Sequence, residues 1–71
     1  MLVTRALVGD QRLALGLSAQ GLSVNEAAES LGWPRDRVRA AVRGAIAALG
    51  ARSKLEAVII ALRRGEFIDA S

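Results

Sequence analysis

The sequence predicts an all-α fold of four short helices, and three observations predict it. Ser23-Val24-Asn25-Glu26 and Ser53-Lys54-Leu55-Glu56 both fit the S-x-x-E capping box that opens a helix. Gly21, Gly32, Gly50 and Gly65 stand where left-handed caps would close the four helices. Val38, Val42, Ala45, Ile46 and Leu49 recur at three- and four-residue spacings, which gathers them into one apolar stripe on a helix.

Composition sets the scale of what can form. Seventy-one residues make one domain near the lower limit for a chain that folds without staples. With no cysteine and no histidine, a disulfide framework, a thiolate or zinc site and a histidine-based catalytic triad are excluded. No nucleophile–base pair can be assembled either, so no catalytic residue, metal ligand or cofactor is assigned. The apolar fraction is 52%, mostly alanine, leucine and valine, with one Trp and one Phe. That mixture suits thin, close-packed helix contacts. No apolar run approaches the roughly 20 residues that span a bilayer. The opening residues are too short and too soon interrupted for a secretory signal. A cytoplasmic protein is expected.

In order, residues 1–8 carry Leu2, Val3, Leu7 and Val8 without a period and form a lead-in to a domain over 9–71. A first helix is expected from about Asp10 to Gln20, with Asp10 as its cap and Leu13 and Leu17 on one face. Gly16 inside it costs up to about 1 kcal/mol against alanine, which makes it the least secure of the four. The second helix spans 23–31, with Ala27, Ala28 and Leu31 apolar and Gly32 as its stop. Trp33-Pro34 is the turn, where proline needs no N–H and Trp33 can plug the space between helices.

The third helix spans 35–49 and holds Arg35, Arg37, Arg39 and Arg43 within nine positions. At about 100° per residue, Arg39 and Arg43 stack on one flank and Arg37 falls on the other, with Ala40, Gly44 and Ala47 between. A helix with arginines on both shoulders and little bulk between can press into a DNA groove. From Arg35 to Lys54 the local balance is +5, against −2 for the remainder. A basic middle on a slightly acidic scaffold fits a polyanion; the lack of a large aromatic and leucine face argues against a membrane surface.

The fourth helix, 53–64, reads LEAVIIALRR in its middle, and Val58, Ile59, Ile60 and Leu62 point in too many directions for one stripe. That leaves a face for self-association unless Phe67 and Ile68 fold back over the excess. A short helix, a glycine turn and a longer basic helix are the ingredients of a helix-turn-helix.

From Gly21 to about Ile68 the order of parts resembles the C-terminal DNA-binding domain of LuxR-type (GerE-like) regulators. Gly21-Leu22-Ser23, Glu26-Ala27-Ala28, Leu31-Gly32, Val38-Arg39, Ile46, Leu49-Gly50 and Arg52-Ser53 carry the resemblance. The tail Glu56-Ala57-Val58, Ala61 and Gly65 separates it from sigma-factor region 4, and Leu7, Arg12, Leu15 and Leu17 extend it weakly backwards. It implies a four-helix helix-turn-helix domain whose third helix enters the major groove of double-stranded DNA at a roughly palindromic site. Arg39, Ala40 and Arg43 fall on the base-facing positions. Arg35, Arg37, Asn25, Arg52 and Lys54 are candidates for phosphate contacts, which position without specifying. Dimerisation is expected through Leu55, Ile59, Ile60, Leu62 and Arg63 of the fourth helix.

The chain departs from the family at Ala41, where histidine is frequent, at Asn25 in place of lysine, and at Pro34 in place of a capping serine. The methionine ahead of the first helix fits either a free-standing small regulator or a piece of a larger one. Two functions follow. One is a homodimeric, sequence-specific transcription regulator associated with the nucleoid. The other is an interaction module, an anti-activator or co-regulator, that binds a larger regulator or RNA polymerase through its apolar fourth helix.

Overall fold

The computed structural model describes residues 7–67, and within them the chain is all-helical, with no strand. The expectations for Leu2, Val3 and Ile68 lie outside the described residues. Four helices follow one another: α1 (Gly9–Ala19), α2 (Val24–Leu31), α3 (Arg35–Ala48) and α4 (Lys54–Arg63). None is long and apolar enough to cross a membrane.

The helix limits follow local chemistry. At α2 the capping box is complete. Ser23 Oγ accepts from the Glu26 N–H at 3.1 Å, and Glu26 Oε1 accepts from the Ser23 N–H at 2.8 Å. The Ser23 amide, and after it the Ser23 hydroxyl, hold the Glu26 carboxyl below the usual carboxylate range. At α4 only half of the expected box forms. Ser53 Oγ accepts from the Glu56 N–H at 3.1 Å, but Glu56 reaches past Ser53 to the Arg52 N–H at 2.9 Å. Asp10 does not cap α1. The helix begins one residue before it, and the Gln11 side chain accepts the Val8 N–H at 3.2 Å. Asp10 sits inside the first turn with its carboxylate turned to α3.

Gly32 is where the turn between α2 and α3 needs a glycine. Its φ of +69° is left-handed, and the next amide, Trp33 N–H, turns back to the Ala28 carbonyl at 3.0 Å. A residue with a Cβ is strained there. Pro34 then serves as the N-cap residue rather than the first helical one, its carbonyl accepting from the Val38 N–H at 3.3 Å.

α1 and α3 form the central pair. α2 and α4 each pack against both and not against each other. The core accordingly has two halves. Ala14, Ala27, Ala28, Val38 and Ala41 make one, with Trp33 and Leu17 against them. Leu7, Leu15, Ala45, Leu49, Ala57 and Ala61 make the other, with Ile60 and Phe67 against them. Trp33 thus packs on the α2–α3 half, as its place in the turn suggests.

Alanine dominates these contacts, so backbones approach closely and large side chains are excluded. On α1 the fully buried pair is Ala14 and Leu15, while Leu13 is 52% exposed. Leu13 was expected to share the inner face with Leu17, but lies off the line along which α1 meets α3. On α4 the buried pair is Ala57 and Ala61, with Val58 only half-buried.

One ion pair ties the ends together. Arg12 Nη2 donates to the Leu7 carbonyl at 2.7 Å and to Glu66 Oε1 at 3.1 Å. Glu66 is 6% exposed, so its carboxylate depends on this partner. Losing one member of such a pair leaves a desolvated charge behind.

Gly16 faces the Phe67 ring, whose nearest atoms lie 3.6 and 3.7 Å from where a Cβ would stand. That is ordinary contact distance, within an otherwise regular helix. Gly16→Ala is therefore expected to stabilise the domain by about 0.5–1 kcal/mol through the unfolded chain and helix propensity. Chemical denaturation checks this; a loss of stability would show that the ring cannot accept the methyl group.

Candidate nucleic-acid interface

α3 buries Val38 and Ala41 against α1 and α2 and Ala45 against α1 and α4, with Leu49 just beyond its end. The opposite side is set by that burial. At about 100° per residue its midline runs through Asp36, Ala40, Arg43 and Ala47, all exposed. Arg39 lies on the shoulder beside Arg43, as the spacing predicts. Gly44 does not lie on this open midline. It is half-buried beneath Gln11 of α1, whose Nε2 is 2.7 Å from where a Gly44 Cβ would stand. The midline expected at Ala40, Gly44 and Ala47 is thus open at Ala40 and Ala47 and covered at Gly44.

The arginines differ in what already holds them. Arg39 Nη1 is 3.4 Å from Asp36 Oδ1, one helical turn back. Arg43 makes no ion pair and no side-chain hydrogen bond among the described residues. Arg37 is the most constrained. Its Nε and Nη2 both donate to Asp10 Oδ2, at 3.3 and 3.0 Å, and its guanidinium lies 3.9 Å from the Trp33 ring centroid. A cation over an indole face at this range is attracted by the ring's quadrupole.

The remaining basic candidates sit at the two ends of α3. Arg35 Nη1 donates to Asn25 Oδ1 at 3.3 Å, which joins two residues named separately as phosphate candidates at the meeting of α2 and α3. Arg52 is 90% exposed and pairs with Glu56 at 3.4 Å. Lys54 is exposed at the start of α4. Ala40 is exposed and small, leaving backbone room between the shoulders.

On α4 the outward residues are Leu55, 70% exposed, Ile59, 42%, and Leu62, 59%, followed by the exposed Arg63. They form a stripe opposite Ala57 and Ala61. Ile60 does not belong to it. It is half-buried against the core half that holds Leu49 and Ala61, because it lies about 100° beyond Ile59 toward α1 and α3.

Sequence reasoning missed three residues that shape this surface: Asp36 on the midline, Asp10 on Arg37 and Gln11 over Gly44. The i,i+3 spacing of Asp36 and Arg39 was a usable signal; the other two contacts join α1 to α3 across the fold. Among the described residues no group of three or more acidic side chains is placed to hold a metal ion. No protein-family model matches the chain, and no curated protein matches it.

Arg37 stacking has an optical readout, because the chain holds one tryptophan. Arg37→Ala is expected to move Trp33 emission to longer wavelength as the ring gains water, with helix content unchanged. An unaltered spectrum would show that the guanidinium does not cover the indole in solution.

Proposed function

We propose that the chain is a sequence-specific DNA-binding transcription regulator of the LuxR-type helix-turn-helix class, reading the major groove with α3 and acting as a homodimer. The observation that carries this is the outward face of α3. It presents two arginines on one shoulder and only small side chains at Ala40 and Ala47, opposite a fully buried seam. An arginine fork bonds both acceptors of a guanine edge, worth about 1–3 kcal/mol of discrimination. Arg39, Ala40 and Arg43 face bases in this reading; Arg35, Arg37, Arg52, Lys54 and Asn25 meet phosphates. Such a protein works in the cytoplasm, at the nucleoid.

The homodimer rests on α4. Fully burying an aliphatic side chain contributes about 1.5–3 kcal/mol, and Leu55, Ile59 and Leu62, 70%, 42% and 59% exposed, each forgo the corresponding part of it. A symmetric copy of the same helix recovers it on both chains and sets two recognition helices about one DNA turn apart.

The same stripe favours a second reading, in which α4 docks on a larger transcription regulator or on RNA polymerase and DNA is not contacted. Three candidate DNA arginines, Arg37, Arg39 and Arg52, already have carboxylate partners within the chain. DNA must displace or share those partners, whereas a protein partner on α4 leaves them alone.

Arg39→Ala and Arg43→Ala are each expected to weaken binding to the best duplex site by about 1–3 kcal/mol without loss of helix. Arg37→Ala and Lys54→Ala are expected to weaken all sequences alike and to flatten the log–log salt slope by about one unit each. Titrations at two salt concentrations check both; a parent that binds duplex DNA at neither concentration favours the interaction module. Ile59→Glu is expected to abolish self-association and lower DNA affinity together, with the monomer still folded by circular dichroism. If the parent sediments as a monomer at high concentration, the homodimer is wrong.

A further inference from the structure

The acids of this surface do different jobs. Glu26 and Glu56 bond amides at helix starts, Asp10 holds Arg37, and Glu66 is buried against Arg12. Asp36 is the only acid between Arg35 and Lys54. Its side chain is 97% exposed, accepts no backbone N–H among the described residues, and has Arg39 Nη1, at 3.4 Å, as its one hydrogen-bond or ion-pair partner among them. It stands in the first turn of α3, on the same outward line as Ala40, Arg43 and Ala47.

A carboxylate in the middle of a surface that meets phosphates lowers affinity for DNA in general, by opposing the contacts its arginine neighbours make. It has one chemical asset there. It is an acceptor whose one donor among the described residues is Arg39 Nη1 at 3.4 Å, which leaves acceptor capacity free, and in the major groove the amino group of cytosine N4 is the donor that a carboxylate matches. Arg39 beside it offers the complementary fork, two donors for guanine O6 and N7. We infer that Asp36 is a specificity-determining residue that accepts from cytosine N4, next to the guanine that Arg39 takes. This rests on the DNA-binding reading above and refines it from arginine-led recognition to a coupled acceptor–donor pair. An acid in the first turn also favours the helix start through the macrodipole. That role is indifferent to DNA sequence, so base preference separates the two.

The test is selection of sites from randomised duplex oligonucleotides by the parent, Asp36→Ala, Asp36→Asn and Arg39→Ala, followed by titration of the best site and its single-base variants. The parent is expected to require cytosine at one position per half-site, and replacing it to weaken binding about tenfold, the ordinary cost of one wrong base pair. In Asp36→Ala the same replacement should change binding less than about two-fold, while affinity for random duplex rises. Asp36→Asn should move the preference toward adenine, whose edge offers a donor and an acceptor. It also carries the comparison if Asp36→Ala lowers helix content. Identical base preferences in the parent and both Asp36 variants would overturn the assignment. If Arg39→Ala still altered the preference, the DNA-binding reading would survive that result. A parent that selects no sequence would overturn both.

Discussion

Close helix contact through alanine is the constraint on which the rest of this structure depends. Ala14, Ala27, Ala28, Ala41, Ala45, Ala57 and Ala61 occupy most of the buried apolar positions, with Leu15 and Val38 the largest side chains fully enclosed. An alanine seam adds little transfer energy per residue, but it brings backbones near enough to pack without voids. Enlarging a seam residue forces helices apart, since overpacking in a close-packed core commonly costs about 1–3 kcal/mol.

The same constraint decides what is left outside. A thin seam covers a narrow strip of each helix, so Leu13, Leu55, Ile59 and Leu62 remain in water although they are as apolar as anything inside. It also sets the exposed face of α3. Because Val38, Ala41 and Ala45 are held on one line, Asp36, Ala40, Arg43 and Ala47 must lie on the opposite one. Surface chemistry thus follows from core chemistry along the same helix. The Arg12–Glu66 pair holds the other end, locking the turn after α4 onto α1 beside Leu7.

The capping serines and helix-stopping glycines made the helix limits legible within about a residue, because those signals act over a single turn. Contacts between helices were less legible. The period of α3 gives each residue an angle but not the neighbour that covers it, so the angle of Gly44 points to solvent although Gln11 lies over it. Leu13 and Ile60 were misplaced for the same reason: hydrophobicity alone does not say which of several apolar residues a narrow seam will take. Asp10 looked like a cap because caps are local, whereas its true partner, Arg37, is 27 residues away. Of the proposed DNA surface, the flank with Arg39 and Arg43 was visible from spacing, and the acid among those arginines was not given a role.

The central claim is that the outward line of α3 is the surface that meets DNA. The most direct measurement is an amide chemical-shift titration of the isotope-labelled chain with duplex DNA carrying a selected site. The account predicts that the largest changes fall on Asp36, Arg39, Ala40 and Arg43, with smaller ones at Asn25 and Lys54 and none at Leu13. Changes confined to α4, with the outward amides of α3 unmoved at saturating DNA, would contradict it.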